Sequence, residues 1–341
     1  MSAPASTREP SLVLTHFQTQ SLDTQINIHL PPTITPTQFL ALLPSSPSDP
    51  PAFQFPALRN WLAKLLANFK LQDNPKHPYH KNPYKLREID VQAVDWFWKS
   101  ADGKNGKLGF MKIQAKIETD AYFHAESGKE EVDWVPGAVF LRGGSVAMLI
   151  ILQPADAKHD DEKQVILTIQ PRIAAGSLAF TEIPAGMLDD GTFKGTAAKE
   201  IAEEAKLTVT EEDLINMSEI ALADQAPAPS GDSEAETVES AMYPSVGACD
   251  EFIPIMLCQK RLTRRHMEWL KGKATGLREE GENITLKLVP LDQVWRQAGR
   301  DAKALAAIAL YVGLKREGKI PEMSERAESE PDEVVQVEQA R

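Results

Sequence analysis

Apolar residues recur along this chain at two periods, and the switches between them mark its elements. In "PALRNWLAKLLANFKLQ", Leu58, Trp61, Leu62, Leu65 and Leu66 fall on one side of a helix. Two β-rich runs follow, "IDVQAVDWFW" and "KLGFMKIQAKIE". The linker between them, "KSADGKNG", carries Asp-Gly and Asn-Gly pairs that signal a hairpin turn. Further on, "AVFLRGGSVAMLIILQP" and "KQVILTIQPR" read as two strands, followed by a loop and a short acidic helix. Strands are then expected near 218–223, at "FIPIMLCQ" and at "NITLKLVPL". Helices are expected at "TRRHMEWLKGK" and at the Ala-rich "DAKALAAIALYVGLKRE". No internal repeat is visible.

The polar stretches between these patterns suggest boundaries. Residues 1–50, rich in Pro, Ser and Thr, read as a partly disordered N-terminal arm with a short helix near 36–43. Residues 51–132 read as a small α+β domain, 133–320 as the main domain, and 321–341 as a disordered acidic tail. That tail carries seven acidic and two basic residues between Glu322 and Arg341. The insert "DQAPAPSGDSEAETVES" has the composition of a mobile segment.

Composition narrows the class. The chain of 341 residues is 42% hydrophobic, which suits a globular core. Its longest apolar run, near Val146 to Leu152, is too short to span a bilayer. The opening "MSAPASTREPSLVL" has neither a long apolar signal core nor an Arg-rich amphipathic pattern. Cys249 and Cys258 are the only cysteines, so a reducing, cytoplasmic setting is the default, with an organelle still open. A net charge of −12 argues against a nucleic-acid partner. An acidic protein acting on an anionic substrate needs cations, and that turns attention to the acidic helix.

Glu200, Glu203 and Glu204 stand at i, i+3 and i+4, on one helix face. Like charges at this spacing repel by a few tenths of a kcal/mol per pair. A hard divalent cation would convert repulsion into attraction, since Mg²⁺ and Ca²⁺ prefer carboxylate oxygens. The bland reading is a solvated acidic face. Seven scattered histidines, with no pair at metal-ligand spacing, argue against zinc.

The stretch from Ala185 to Leu207, "AGMLDDGTFKGTAAKEIAEEAKL", resembles the signature of the Nudix hydrolases, G-x5-E-x7-R-E-U-x-E-E-x-G-U with U bulky and apolar. Three positions depart from it. The loop is one residue short, so Thr192 falls near the place of the first Glu; Lys199 replaces Arg, and Lys206 replaces the closing Gly. "EIPAGMLDD", "MYPSVGACDE", "GLREEGENITLKLVPLDQVW" and "DAKALAAIALY", in that order, resemble the ADP-sugar diphosphatase branch, over about 57–319. That resemblance implies an α/β/α sandwich core with a smaller N-terminal α+β domain, commonly a homodimer. It also implies Mg²⁺-dependent hydrolysis (Mn²⁺ is possible) of ADP-sugars such as ADP-glucose and ADP-ribose, to AMP and a sugar phosphate. The alternative is a catalytically weak protein of the same fold that binds or senses nucleotide sugars.

The resemblance also carries residue roles. Glu200, Glu203 and Glu204 would hold metal, joined by the backbone carbonyl of Ala185 before the box glycine, Gly186. A general base would come from the late loop, which offers Glu279, Glu280 and the favoured Glu282; the bland reading there is an acidic surface turn. Glu251 is a candidate for an additional metal contact, and Asp250 lies beside it. Arg172, in a Q-x-R element, and Arg278 are candidates for substrate phosphate, against the plain reading of surface arginines. Gly176 and Gly186 are expected at turns that strain other residues. Cys249 reads as a small buried residue. Trp96, Trp98 and Trp134 could stack on adenine, with core packing the favoured reading.

Overall fold

The structure, a computed structural model, describes residues 9–18, 20–43, 52–124, 126–188, 192–223, 236, 238–276, 282–331 and 334. Two compact units emerge. The first comprises Met1–Gly143, Pro227–Glu239 and Ser245–Glu251; the second comprises Gly144–Ala226, Ser240–Pro244 and Phe252–Arg341. Among the described residues, no helix is long and apolar enough to cross a membrane.

The first unit contains β1 (Leu12–Phe17), β2 (Gln20–His29), α1 (Pro36–Leu40), β3 (Phe53–Gln54), α2 (Pro56–Phe69), β4 (Lys85–Lys99) and β5 (Gly106–Glu118). A small hairpin of β6 (Tyr122–His124) and β7 (Lys129–Glu131) follows, then β8 (Trp134–Val135) and β9 (Ala138–Leu141). The main sheet runs β1-β2-β4-β5-β3, with β8 and β9 also paired to β5. The expected β4–β5 hairpin forms, turning through Gly103 at φ +68°. Helix α2 buries Ala57, Leu58 and Leu62 against this sheet's core, while Trp61, Leu65 and Leu66 pack at its rim.

One expectation for this unit needs correction. Residues 9–18 and 20–43 are not set apart as an arm: β1 and β2 enter the sheet, and Leu14, Phe17, Ile26, Ile28, Phe39 and Leu42 join the buried core. Pro-rich composition concealed two alternating strands. The short helix does form, as α1, capped by Thr35 and Gln38 in a reciprocal capping box.

The second unit contains β10 (Ser145–Pro154), β11 (Gln164–Arg172), β12 (Ser177–Glu182), β13 (Ala185–Met187), α3 (Phe193–Glu204), β14 (Leu214–Asn216) and α4 (Met217–Leu222). After them come β15 (Ile255–Leu262), α5 (Arg264–Leu270), β16 (Ala274–Thr275), β17 (Ile284–Pro290), α6 (Val294–Gln297) and α7 (Ala302–Arg316). The sheet order is β14-β15-β10-β11-β17-β16, with β12 on β11 and β13 on β10. Every residue of β10 is buried, as a strand covered on both faces must be. Ala147, Leu149 and Ile151 pack with Ala304, Ala307 and Tyr311 of α7. Val146, Met148, Ile150 and Leu152 pack with Ala197 and Ile201 of α3 and Met267 and Leu270 of α5. Alternate residues of one strand thus feed two cores, which makes the unit an α/β/α sandwich.

Three further differences from the sequence reading appear here. The run "AVFLRGGSVAMLIIL" is two strands, β9 and β10, and the division between units falls at Gly143–Gly144 rather than at 132–133. The strand expected near 218–223 is helix α4, started by Asn216, whose side chain accepts from the Glu219 N–H. The tail is structured over 321–331: Met323 is buried, Arg261 bridges to Ala327, and Lys260 Nζ lies 2.7 Å from Glu328. Most of the insert at 224–240 lies outside the described residues.

Candidate active site

Strand β13 and helix α3 set the site's frame. Gly186 pairs with Val146, so the strand carrying the box glycine is fastened to the buried centre of the sheet. Ala185, half-buried, pairs with Ala147 on the same strand. Helix α3 begins at Thr192, whose hydroxyl oxygen accepts from the Gly195 N–H at 2.9 Å and lies 3.3 Å from Glu211 Oε2. In place of a glutamate, the shortened loop therefore supplies a helix cap. At the other end Lys206, which stands where the signature has its closing Gly, adopts φ +56°, a left-handed backbone that favours glycine. Lys199 is exposed.

Gly186 is glycine for a reason other than the one expected. Its φ is not positive; a Cβ there would lie 1.9 Å from Glu200 Oε1 and 2.1 Å from Glu200 Cδ. The Glu200 carboxylate lies across the bare backbone, where any other residue would collide with it. Gly176 does occupy the left-handed region, at φ +64°.

Glu204 is the most unusual acid in the unit. It is only 4% exposed, and its Oε2 has no hydrogen-bond partner. Its pKa is pushed up to about 8, first by burial, then by the negative charges of Glu200 and Glu282, with Arg172 pulling the other way. The same influences locate the neighbours: two carboxylates and one guanidinium nominated from sequence converge electrostatically on one buried carboxyl. Glu282 is exposed and stands beside Gly276, whose φ is +85° and whose Cβ would lie 3.1 Å from that of Glu282. Arg172 is held by Glu182, with Nε 2.6 Å from Oε1.

Other nominated residues are held by different contacts. Glu203 is half-buried and is not among the principal influences on Glu204. Glu251 belongs to the first unit, where its Oε1 lies 2.9 Å from Arg142 Nη1. Beside it Asp250 accepts from the N–H groups of Arg142 and Gly143 at 2.8 and 3.2 Å; burial raises its pKa. Cys249 is half-buried, and burial pushes its thiol up, away from a nucleophilic thiolate. Trp96 packs edge-on against Phe53 at the core rim, as favoured. Trp98 and Trp134, however, stand 51% and 40% exposed; for Trp98, β4 shifts register on both sides of Trp96, which breaks the simple alternation, and Trp134 lies on the two-residue β8. Arg278, Glu279 and Glu280 lie outside the described residues.

Sequence reasoning missed the support behind Arg172. Glu182, 2% exposed, also meets Lys303 Nζ at 2.8 Å, and Lys303 meets Asp301 at 2.8 Å. Two signals were readable: a charged residue following Phe180 and Thr181 just before Ile183, and an Asp immediately before an Ala-rich helix.

The donor set suits a hard divalent cation. Glu200 and Glu204 supply carboxylate oxygens one turn apart, and the buried Oε2 of Glu204, which has no hydrogen-bond partner, could take a cation in exchange for its proton. Among the described residues no three His, Cys, Asp or Glu side chains are already gathered as a metal cage.

Comparison with known proteins gives a clear relative. The chain is 32% identical over 295 residues to Nudix hydrolase 14, chloroplastic, of Arabidopsis thaliana, covering 82% of each chain. No family model matches. A crystal structure of ADP compounds hydrolase aligns at TM-score 0.36 and 15% identity, over 69% of this chain and 99% of that one. A C. elegans Ap4A hydrolase binary complex aligns at TM-score 0.29 and 13% identity, over 51% and 98%.

Proposed function

The chain belongs to the Nudix hydrolase family, and from that premise we propose that it cleaves the diphosphate bond of ADP-sugars, ADP-glucose and ADP-ribose among them, to AMP and a sugar phosphate with Mg²⁺ as cofactor. Mn²⁺ would serve in its place. The observation that carries the reading is the buried, unpartnered Glu204 oxygen, with Glu200, Glu282 and Arg172 acting on the same carboxyl. Glu200 and Glu204 would hold the metal, with Glu203 and the Ala185 carbonyl completing its shell. Bound Mg²⁺ supplies charge neutralisation at the phosphate oxygens, worth several kcal/mol.

The side chains supply the remainder. Glu282, exposed at the mouth of its loop, accepts the proton of the attacking water. Arg172 binds non-bridging phosphate oxygens through its terminal nitrogens, because Nε is committed to Glu182. Arg278 is assigned a second phosphate contact. The active form is proposed to be a homodimer. Support against a merely binding protein lies in how the three departures are absorbed: Thr192 caps α3, Lys206 keeps the left-handed turn, and Lys199 is exposed.

A panel of nucleoside diphosphate sugars, assayed with Mg²⁺ and with EDTA, tests the substrate class. Cleavage of ADP-glucose and ADP-ribose that EDTA abolishes is expected. Glu204→Gln should lower kcat on the order of 10²–10³-fold while the protein remains folded. Near-normal turnover in that variant would overturn the metal assignment.

A further inference from the structure

Behind the nominated phosphate contact lies a chain of buried charges that the reaction itself does not require. Glu182 ends β12, and its side chain is 3% exposed. One of its oxygens meets Arg172 Nε at 2.6 Å and the other meets Lys303 Nζ at 2.8 Å. Lys303 stands in the first turn of α7, 16% exposed, and also meets Asp301 Oδ1 at 2.8 Å. Asp301 caps that helix through the Lys303 N–H and accepts from the Ile183 N–H through its other oxygen at 3.0 Å. Two cations and two anions therefore alternate, with net charge zero, from the start of α7 to Arg172.

Burying two carboxylates and most of Lys303 beside a half-exposed Arg172 is a poor way to gain stability, because desolvation offsets the attraction between them. Such an arrangement is better suited to fixing a direction. Arg172 is 42% exposed, and among the described residues its terminal nitrogens make no hydrogen bond or ion pair, so only Nε is held. Without Lys303, the buried Glu182 carboxylate would have Arg172 as its sole counter-charge among the described residues and would draw the guanidinium inward.

We propose that Lys303 is a positioning residue: through Glu182 it divides the demand for positive charge, so that the outer edge of the Arg172 guanidinium faces a substrate's phosphates. The inference rests on the phosphate-binding role given to Arg172 above. Lys303 itself touches no substrate.

A double-mutant cycle over Lys303→Met and Arg172→Ala tests it, with two readouts. The first is kcat and KM on the nucleotide sugar that the wild type cleaves best. The second is calorimetric binding of inorganic pyrophosphate in Ca²⁺, which needs no turnover. Lys303→Met should raise KM and the pyrophosphate Kd by about tenfold or more, with kcat within about threefold of wild type. In the Arg172→Ala background the same change should add nothing, and Lys303→Arg should restore most of the loss. Equal effects of Lys303→Met with and without Arg172, as a purely structural lysine would give, overturn the proposal. So does pyrophosphate binding that is indifferent to Arg172→Ala. Should Lys303→Met fail to fold, Glu182→Gln takes its place in the cycle, since it keeps the shape and an acceptor for Arg172 while removing the charge. A wild type that cleaves no nucleotide would refute the proposed function, yet the pyrophosphate cycle would still decide the positioning claim.

Discussion

Glu204 retains its proton to about pH 8 because an ionised carboxylate in its place would be buried, close to Glu200 and Glu282, and only partly offset by Arg172. An unfolded chain gives up the same proton near the ordinary value of 4.5. Between those two values the folded state binds more protons than the unfolded one, so stability falls as pH rises through the window and levels off above it. Urea unfolding in EDTA at pH 5, 6, 7 and 8 should show wild type losing stability relative to Glu204→Gln across that range; a constant difference would contradict the assignment. A cation that displaces the proton should bind more tightly as pH rises towards 8. The clustering of Glu200 and Glu204 was legible in the sequence because helical spacing alone dictates it. The reason for Gly186 was not, since it depends on a Glu200 rotamer lying across another element's backbone.

At the scale of elements, helix α3 is held by unusual ends. Lys206 follows its C-cap in the left-handed region, where a Cβ costs about 1–2 kcal/mol and glycine is at ease. Lys206→Gly should therefore raise stability by about 0.5–1 kcal/mol after allowing for glycine's greater chain entropy, with activity retained; urea midpoints at constant m would show it. Periodicity located the long elements well: α2, β4, β5, β15, β17 and α7 all form where alternating or helical patterns put them. It failed where a pattern is short or mixed. In "SEIALA" the apolar residues are too few to fix a period, and the deciding cap, Asn216, lies outside the run. In "AVFLRGGSVAMLIIL" the apolar residues on either side of Arg142-Gly143-Gly144 belong to strands of different units.

Over the whole molecule, composition misled at both ends, because Pro-rich and acidic segments can still be ordered by the surfaces they cover. The C-terminal segment illustrates this. Met323 is buried, the Pro321 carbonyl accepts from Gln259, and Glu328 and Glu330 pair with Lys260 and Arg265. A chain ending after Ile320 should melt about 5–10 °C lower by differential scanning fluorimetry, from a loss of about 2–3 kcal/mol; a loose tail would leave Tm unchanged. The close approach of Gly276 and Glu282 has a different consequence. Their separation sets where the intervening segment leaves and rejoins the body, whatever its length, and closing a longer span there adds only a few tenths of a kcal/mol. Descendants of this gene could change the number of residues that join the two while Glu282 stays at its post.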